Sequence, residues 1–143
     1  LDPGRLVDEA SGWYDQGGGD VDSRHNYFYP LRVRPGGRAV ALSEYGGIAW
    51  PMPGHEPPGR TYGYGTAQNK ADLTKRYKKL QLKTVLPQLK NGLSALVYTQ
   101  VSDVEDEVNG LFTYDRTALK PDASAVRSCN AALAAEFARV TAK

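Results

Sequence analysis

The sequence predicts an α/β fold built on parallel strands. Three observations carry that expectation: short apolar segments recur between long turn-rich or helical stretches, one of them is apolar almost throughout, and two amphipathic helical segments lie in the second half. The segments at 5–10, 21–25, 39–43 and 95–99 read as strands, each ending in polar or aromatic residues. The third, Arg38-Ala39-Val40-Ala41-Leu42-Ser43, has the character of a strand buried on both faces in a parallel sheet, not one alternating against water.

The first helix is expected over 71–89, where Leu73, Tyr77, Leu80, Val85, Leu86 and Leu89 roughly track a 3.6 period and lysines with Arg76 fill the other face. Pro87 is expected to kink or shorten its last turns. The second begins near Pro121-Asp122, suitable first-turn residues, and places Val126, Cys129, Leu133, Phe137 and Val140 at steps of three and four. Residues 51–70, rich in Pro and Gly and containing Tyr62 and Tyr64, form a loop too long to be a mere connection; the Tyr-Gly-Tyr-Gly run favours an ordered aromatic loop over a mobile insertion. No repeat or linker divides the chain. A complete eight-stranded barrel takes about 250 residues, so four strand–helix units match this length, and the segment 1–143 reads as half of such a barrel with two strand edges to cover.

Composition narrows the function. The 143 residues carry 18 Lys and Arg against 16 Asp and Glu, and no dense basic block interleaved with aromatics suggests a nucleic-acid partner. No run of about 18 apolar residues suggests a membrane span. The opening residues lack the pattern of a secretory leader and read as the interior of a domain, which leaves the compartment open. Cys129 stands alone and reads as a core thiol; His25 and His55 have no second ligand at metal spacing, so neither metal nor organic cofactor is expected.

Three motifs have chemical content. In Ser43-Glu44-Tyr45-Gly46-Gly47 a carboxylate follows an apolar strand immediately and precedes a sharp turn. The C-terminal ends of parallel-barrel strands carry the active site, so Glu44 would point into a pocket. On spacing alone, a glutamate that simply meets solvent is the simpler reading. His25-Asn26-Tyr27 and the following aromatics combine polar groups with flat apolar faces, as sugar sites do, yet core packing accounts for them about as well. The acidic cluster Asp103, Glu105, Asp106 and Glu107 lacks the alternation and glycine of a calcium loop and reads as solvated. Gly17-Gly18-Gly19 and Tyr62-Gly63-Tyr64-Gly65 lack the lysine and hydroxyl of a phosphate loop.

Taken together, these motifs resemble in order and spacing the C-terminal part of the family 2 glycoside hydrolase barrel, the family of β-galactosidases, β-glucuronidases and β-mannosidases. The resemblance spans nearly the whole chain and equates residues 5–13, 20–27, 39–47 and 95–100 with barrel strands five to eight. It implies that Glu44, in the setting Ser43-Glu44-Tyr45-Gly46, is the nucleophile of a retaining β-glycosidase, that Tyr27 hydrogen-bonds it, and that His25 and Asn26 lie along the sugar site. Where the family often has a platform tryptophan this chain has Tyr98. The Asn-Glu pair carrying the family's general acid/base would lie upstream of Leu1, and Glu9 is no substitute for it. The resemblance also implies a carbohydrate substrate, an exo-acting secreted or periplasmic enzyme, and a partner in the remainder of the barrel or a second copy. A non-catalytic carbohydrate-binding or structural module is the alternative, and this segment by itself is expected to be nearly inactive.

Overall fold

The computed structural model describes residues 2–28 and 30–142. They form a mixed α/β structure on a small sheet of three parallel strands: β1 (Val21–Asn26), β2 (Ala39–Gly46) and β3 (Leu93–Thr99), in spatial order β1-β2-β3. The central strand is the most buried of the three, because it alone has strand neighbours on both edges. Between β2 and β3 runs a long helical segment, α1 (Lys70–Lys79), a π-helical stretch (Leu80–Val85) and a last turn α2 (Leu86–Leu89); α3 (Ala123–Thr141) follows β3.

Local chemistry explains the helix ends. Asn69 caps α1 by accepting the Asp72 amide, and Asp122 caps α3 by accepting the Ala125 amide, each cap contributing about 1 kcal/mol. Pro87 has no amide to offer the turn before it; the backbone widens into the π register over the six residues leading up to α2 and the segment continues. The widening also places Gln81 inside, where it accepts the Tyr45 hydroxyl at 3.0 Å and ties helix to sheet.

The main core lies between sheet and helices, where Val40, Leu42, Tyr45 and Leu93 meet Val85, Leu89 and Leu133. Cys129 is buried in α3. Tyr98 belongs to this layer too, edge-on to Tyr45 and Tyr77 at 5.6 and 5.3 Å. On the opposite face of β3, Val97 is exposed.

Two expectations are corrected. Residues 5–10 form no strand: the Asp20 carboxylate takes the Val7 amide at 2.8 Å and the Asp20 amide the Val7 carbonyl at 2.8 Å, and the next link to β1 is His25 N–H to the Gly12 carbonyl. These isolated bonds align the segment beside β1 without a continuous ladder. The acidic loop is not simply solvated. Asp103 is buried and receives two hydrogen bonds from the fully buried Lys120 ammonium, at 2.8 and 3.0 Å, while the third Lys120 proton goes to the Val108 carbonyl at 2.8 Å. Burial pushes the Asp103 carboxyl up and the Lys120 ammonium down, each toward its neutral form, and their mutual pairing opposes both shifts. Glu105 and Asp106 do face solvent.

The 51–70 loop is ordered by backbone bonds. Trp50 N–H donates to Val108, Tyr62 N–H to Asp106, Val108 N–H to Tyr62, and Tyr64 N–H to Gly47. These bonds strap it against the loop after β3 and hold Tyr64 over the C-terminal end of β2.

Burial raises the pKa of four tyrosines: Tyr77 to about 12, and Tyr27, Tyr45 and Tyr98 likewise upward. An unfolded phenol ionises near 10, so the preference for the neutral form is fully present below about pH 10 and is lost as pH rises through the folded values. Chemical stability is therefore expected to fall between about pH 10 and 12, with late phenolate absorbance at 295 nm appearing together with loss of far-ultraviolet ellipticity; phenolates that form with the fold intact would contradict it.

Candidate functional site

Glu44 owes its direction to an irregularity in β2. Arg24 pairs with Leu42, but the next residue of β1, His25, pairs with Glu44, so Ser43 is an extra residue on the central strand. In a regular strand Glu44 would share the helix face with Val40 and Leu42, since side chains alternate with period two. The bulge reverses the parity: Tyr45 enters the core under Gln81, and Glu44 turns to the other face, 45% exposed, at the C-terminal end of the sheet. The Ser43 hydroxyl lies 2.6 Å from the Ser23 hydroxyl, which fixes the bulge to β1.

Two side chains, Tyr27 and His25, approach the Glu44 carboxylate, and Thr99 supports the first of them. The Tyr27 hydroxyl is 2.8 Å from Glu44 Oε2 and 3.0 Å from Thr99 Oγ1. A phenol has one proton and an ionised carboxylate is the better acceptor, so Tyr27 donates to Glu44 and accepts from Thr99. Burial raises the Tyr27 pKa, with donation to Glu44 also upward and the Thr99 contact downward, so the phenol keeps its proton. His25, with its side chain 7% exposed, sets Nδ1 3.3 Å from the same Oε2 without hydrogen-bond alignment, and Nδ1 has no other partner among the described residues. Both neighbours thus approach Oε2, and among the described residues Oε1 is not engaged.

Aromatic rings wall the site. Tyr64 stacks on Tyr27 with centroids 4.0 Å apart and planes 12° apart, and Phe28 meets both rings edge-on. Trp13, 57% exposed, packs edge-on against His25 at 5.0 Å. It is carried there by a turn in which Ser11 and Gly12 have φ of 47° and 96°. A side chain at Gly12 would collide with the imidazole, since its Cβ would lie 1.9 Å from His25 Cδ2.

Gly47 is equally constrained: its φ is +59°, and a Cβ there would lie 2.6 Å from the Tyr64 ring and 2.9 Å from the Tyr27 ring. Gly47→Ala is expected to separate the stacked pair and cost about 1–3 kcal/mol, read as a lower urea midpoint; an unchanged midpoint would show that the stack absorbs the methyl group.

Of the residues singled out in the sequence, Glu44, Tyr27 and His25 come together. Asn26 and Tyr98 do not join them. Alternation puts Asn26 on the face of β1 opposite His25, where it makes no bond to Glu44 among the described residues and lines a cavity with Leu42, Tyr45 and Val85 that also reaches Tyr27 and Tyr64. Tyr98 faces the helices, one residue before Thr99, which does reach the site. Trp13, Thr99 and Tyr64 are contributions that strand-end motifs do not reveal, because they arrive from three separate loops or strand ends. The Tyr-Gly-Tyr-Gly run was the available signal for Tyr64.

The arrangement leaves one carboxylate oxygen unengaged among the described residues, holds the other by a phenol, and sets flat apolar faces beside them. Such a group can act as a nucleophile or a general base on a polar ligand that also has an apolar face. Among the described residues no group of acidic, histidine or cysteine side chains has the geometry of a metal site. No protein-family model matches this chain, and no curated protein matches it significantly.

Proposed function

We propose that this chain is part of the catalytic barrel of a retaining β-glycoside hydrolase of the family 2 type, contributing strands five to eight of a (β/α)8 barrel, with Glu44 as nucleophile. The supporting observation is the carboxylate at the C-terminal end of the central parallel strand, turned out of the core by a bulge, with Oε2 held by Tyr27 and Oε1 free. In this reading Oε1 attacks the anomeric carbon as the glycosidic C–O bond breaks, and the leaving oxygen takes a proton from a second carboxyl group. Water, deprotonated by that same group, then cleaves the glycosyl ester and returns Glu44 to its ionised form. The two carboxyls of a retaining site stand about 5–5.5 Å apart, and no second carboxyl is bonded to this cluster among the described residues, so we assign the acid/base to a barrel segment outside them. The extended run at 6–9 beside β1 and the outer edge of β3 are the places where further strands, from the remainder of the barrel or a second copy, would pair.

Sugar recognition falls to His25 Nδ1, which can bond a ring hydroxyl also touching Glu44, and to Trp13 and Tyr64 as apolar platforms. The test is intact-mass analysis of the full polypeptide carrying this chain after exposure to a panel of 2-fluoro glycosides. One glycosyl adduct, mapped to Glu44, is expected. An adduct on another residue would overturn the assignment. The lone carboxylate among aromatic rings also suits a carbohydrate-binding module, which would bind sugars without forming any adduct.

A further inference from the structure

The formal charge of +2 conceals a strong asymmetry. Residues 70–83 hold six basic side chains, Lys70, Lys75, Arg76, Lys78, Lys79 and Lys83, against the single acid Asp72. The remaining 129 positions carry 12 basic and 15 acidic residues, so the helix is +5 and the rest of the chain is −3. All six basic residues are exposed, whereas Leu73, Tyr77, Gln81 and Val85 of the same segment are buried against the core. Arg76 is paired with Asp72 at 3.0 Å; among the described residues none of the five lysines has an ion-pair partner. Lys70, Lys75 and Lys78 border an open depression beside Asp122. A helical rise of 1.5 Å per residue makes the charged face about 20 Å long. Concentrating like charge on one rigid face has a stability cost through self-repulsion and creates a positive potential that attracts polyanions.

We propose that the outer face of α1 and its π-helical extension is a docking track for a linear acidic polysaccharide, whose carboxylate or sulfate groups lie along the lysine row; it rests on the carbohydrate reading of the Glu44 site. The chemistry favours this occupant over the other polyanions. Five of the six cations are lysines, rotatable point charges that suit irregularly presented anions, with little of the forked planar geometry arginine brings to phosphates. Leu73 and Tyr77 are buried and Leu80 packs against the core, and no exposed aromatic or large apolar side chain in the segment offers a ring to stack on bases or a wedge for a bilayer. In sequence, α1 begins at Lys70, six residues after Tyr64, whose ring stacks on Tyr27.

The experiment is a binding titration of the protein with fluorescent polygalacturonate, neutral dextran, a 20-base-pair DNA duplex and phosphatidylserine vesicles. Polygalacturonate is expected to bind tightest at 50 mM salt, weakening by about tenfold or more at 300 mM. Lys75→Glu/Lys79→Glu/Lys83→Glu is expected to weaken it by about tenfold or more with an unchanged circular dichroism spectrum, while Arg34→Glu/Arg60→Glu/Arg116→Glu changes it by less than about threefold. No binding to polygalacturonate, equal loss in both triple variants, or tighter binding to DNA or vesicles would overturn the proposal. The two readings fail separately. Polymer binding that persists in a protein unlabelled by fluoroglycosides removes the nucleophile assignment and keeps the track; labelling at Glu44 without polymer binding removes the track alone.

Discussion

Glu44→Gln is expected to lower turnover of a β-glycoside by about a thousandfold or more and to abolish the fluoroglycoside adduct, while leaving the fold intact. The amide keeps the shape of the carboxylate, and its carbonyl oxygen still accepts the Tyr27 proton at the position now 2.8 Å away. What is lost is the negative charge that attacks the anomeric carbon. The side chain is 45% exposed and buries no part of the core, so the melting temperature should move little. Tyr27→Phe gives the complementary result: it removes the donor to Oε2 and the partner of Thr99 but keeps the ring stacked on Tyr64, so turnover should fall by about ten- to a hundredfold with labelling retained but slower. On the proposed reading, turnover is measured in the longer polypeptide that would carry the second carboxyl, and folding by circular dichroism. Unchanged turnover in Glu44→Gln would refute the nucleophile assignment outright.

The largest effect on stability is expected at Lys120, far from any strand-end motif. Lys120→Met replaces a stem of similar length but leaves Asp103 buried without its cation and the Val108 carbonyl without its donor. Breaking a buried pair by removing one partner costs about 3–5 kcal/mol, a large part of the roughly 5–15 kcal/mol that holds a domain of this size. Adding Asp103→Asn removes the stranded charge and keeps an oxygen for the Gly110 amide, now 2.7 Å from the carboxylate, so the double variant should recover part of the loss. Urea unfolding of the wild type, both single variants and the double variant completes the cycle. A Lys120→Met midpoint within about 0.5 kcal/mol of wild type would mean that the site rearranges to admit water.

The pair matters beyond its energy. Asp103 also receives the Gly110 amide, Asp103 N–H donates to Phe112, and Lys120 N–H donates to Leu111. Together these bonds fold the loop after β3 into the surface on which the Tyr62–Tyr64 loop is strapped. Weakening it is therefore expected to loosen Tyr64 over the site as well as to lower the midpoint.

The elements that could be read from sequence are those whose signal is local. An unbroken apolar run marked β2, periods of three and four marked α1 and α3, and Pro121-Asp122 marked the start of α3. The strand expected at 5–10 failed because its apolar residues describe only what the segment could pair with, and Asp20 occupies the Val7 amide that a ladder would use. The acidic loop failed in the same way: Asp103 looks solvent-bound until Lys120, seventeen residues later, is brought beside it.

For the candidate site, the sequence by itself determined that a glutamate ends the most buried strand and that His25 and Tyr27 end its neighbour. Only the tertiary structure decided which way these groups face. One extra residue at Ser43 reverses the alternation that would have buried Glu44 against the helices, simple alternation after His25 carries Asn26 away from it, and a second register shift, at Ser94 of β3, sets Leu96 and Tyr98 on the helix side. The residues completing the site, Trp13, Thr99 and Tyr64, are separated from Glu44 by 20 to 55 positions. Side-chain direction in a strand depends on a count of residues that a single bulge can change, and contact between distant loops depends on hydrogen bonds that no local pattern encodes.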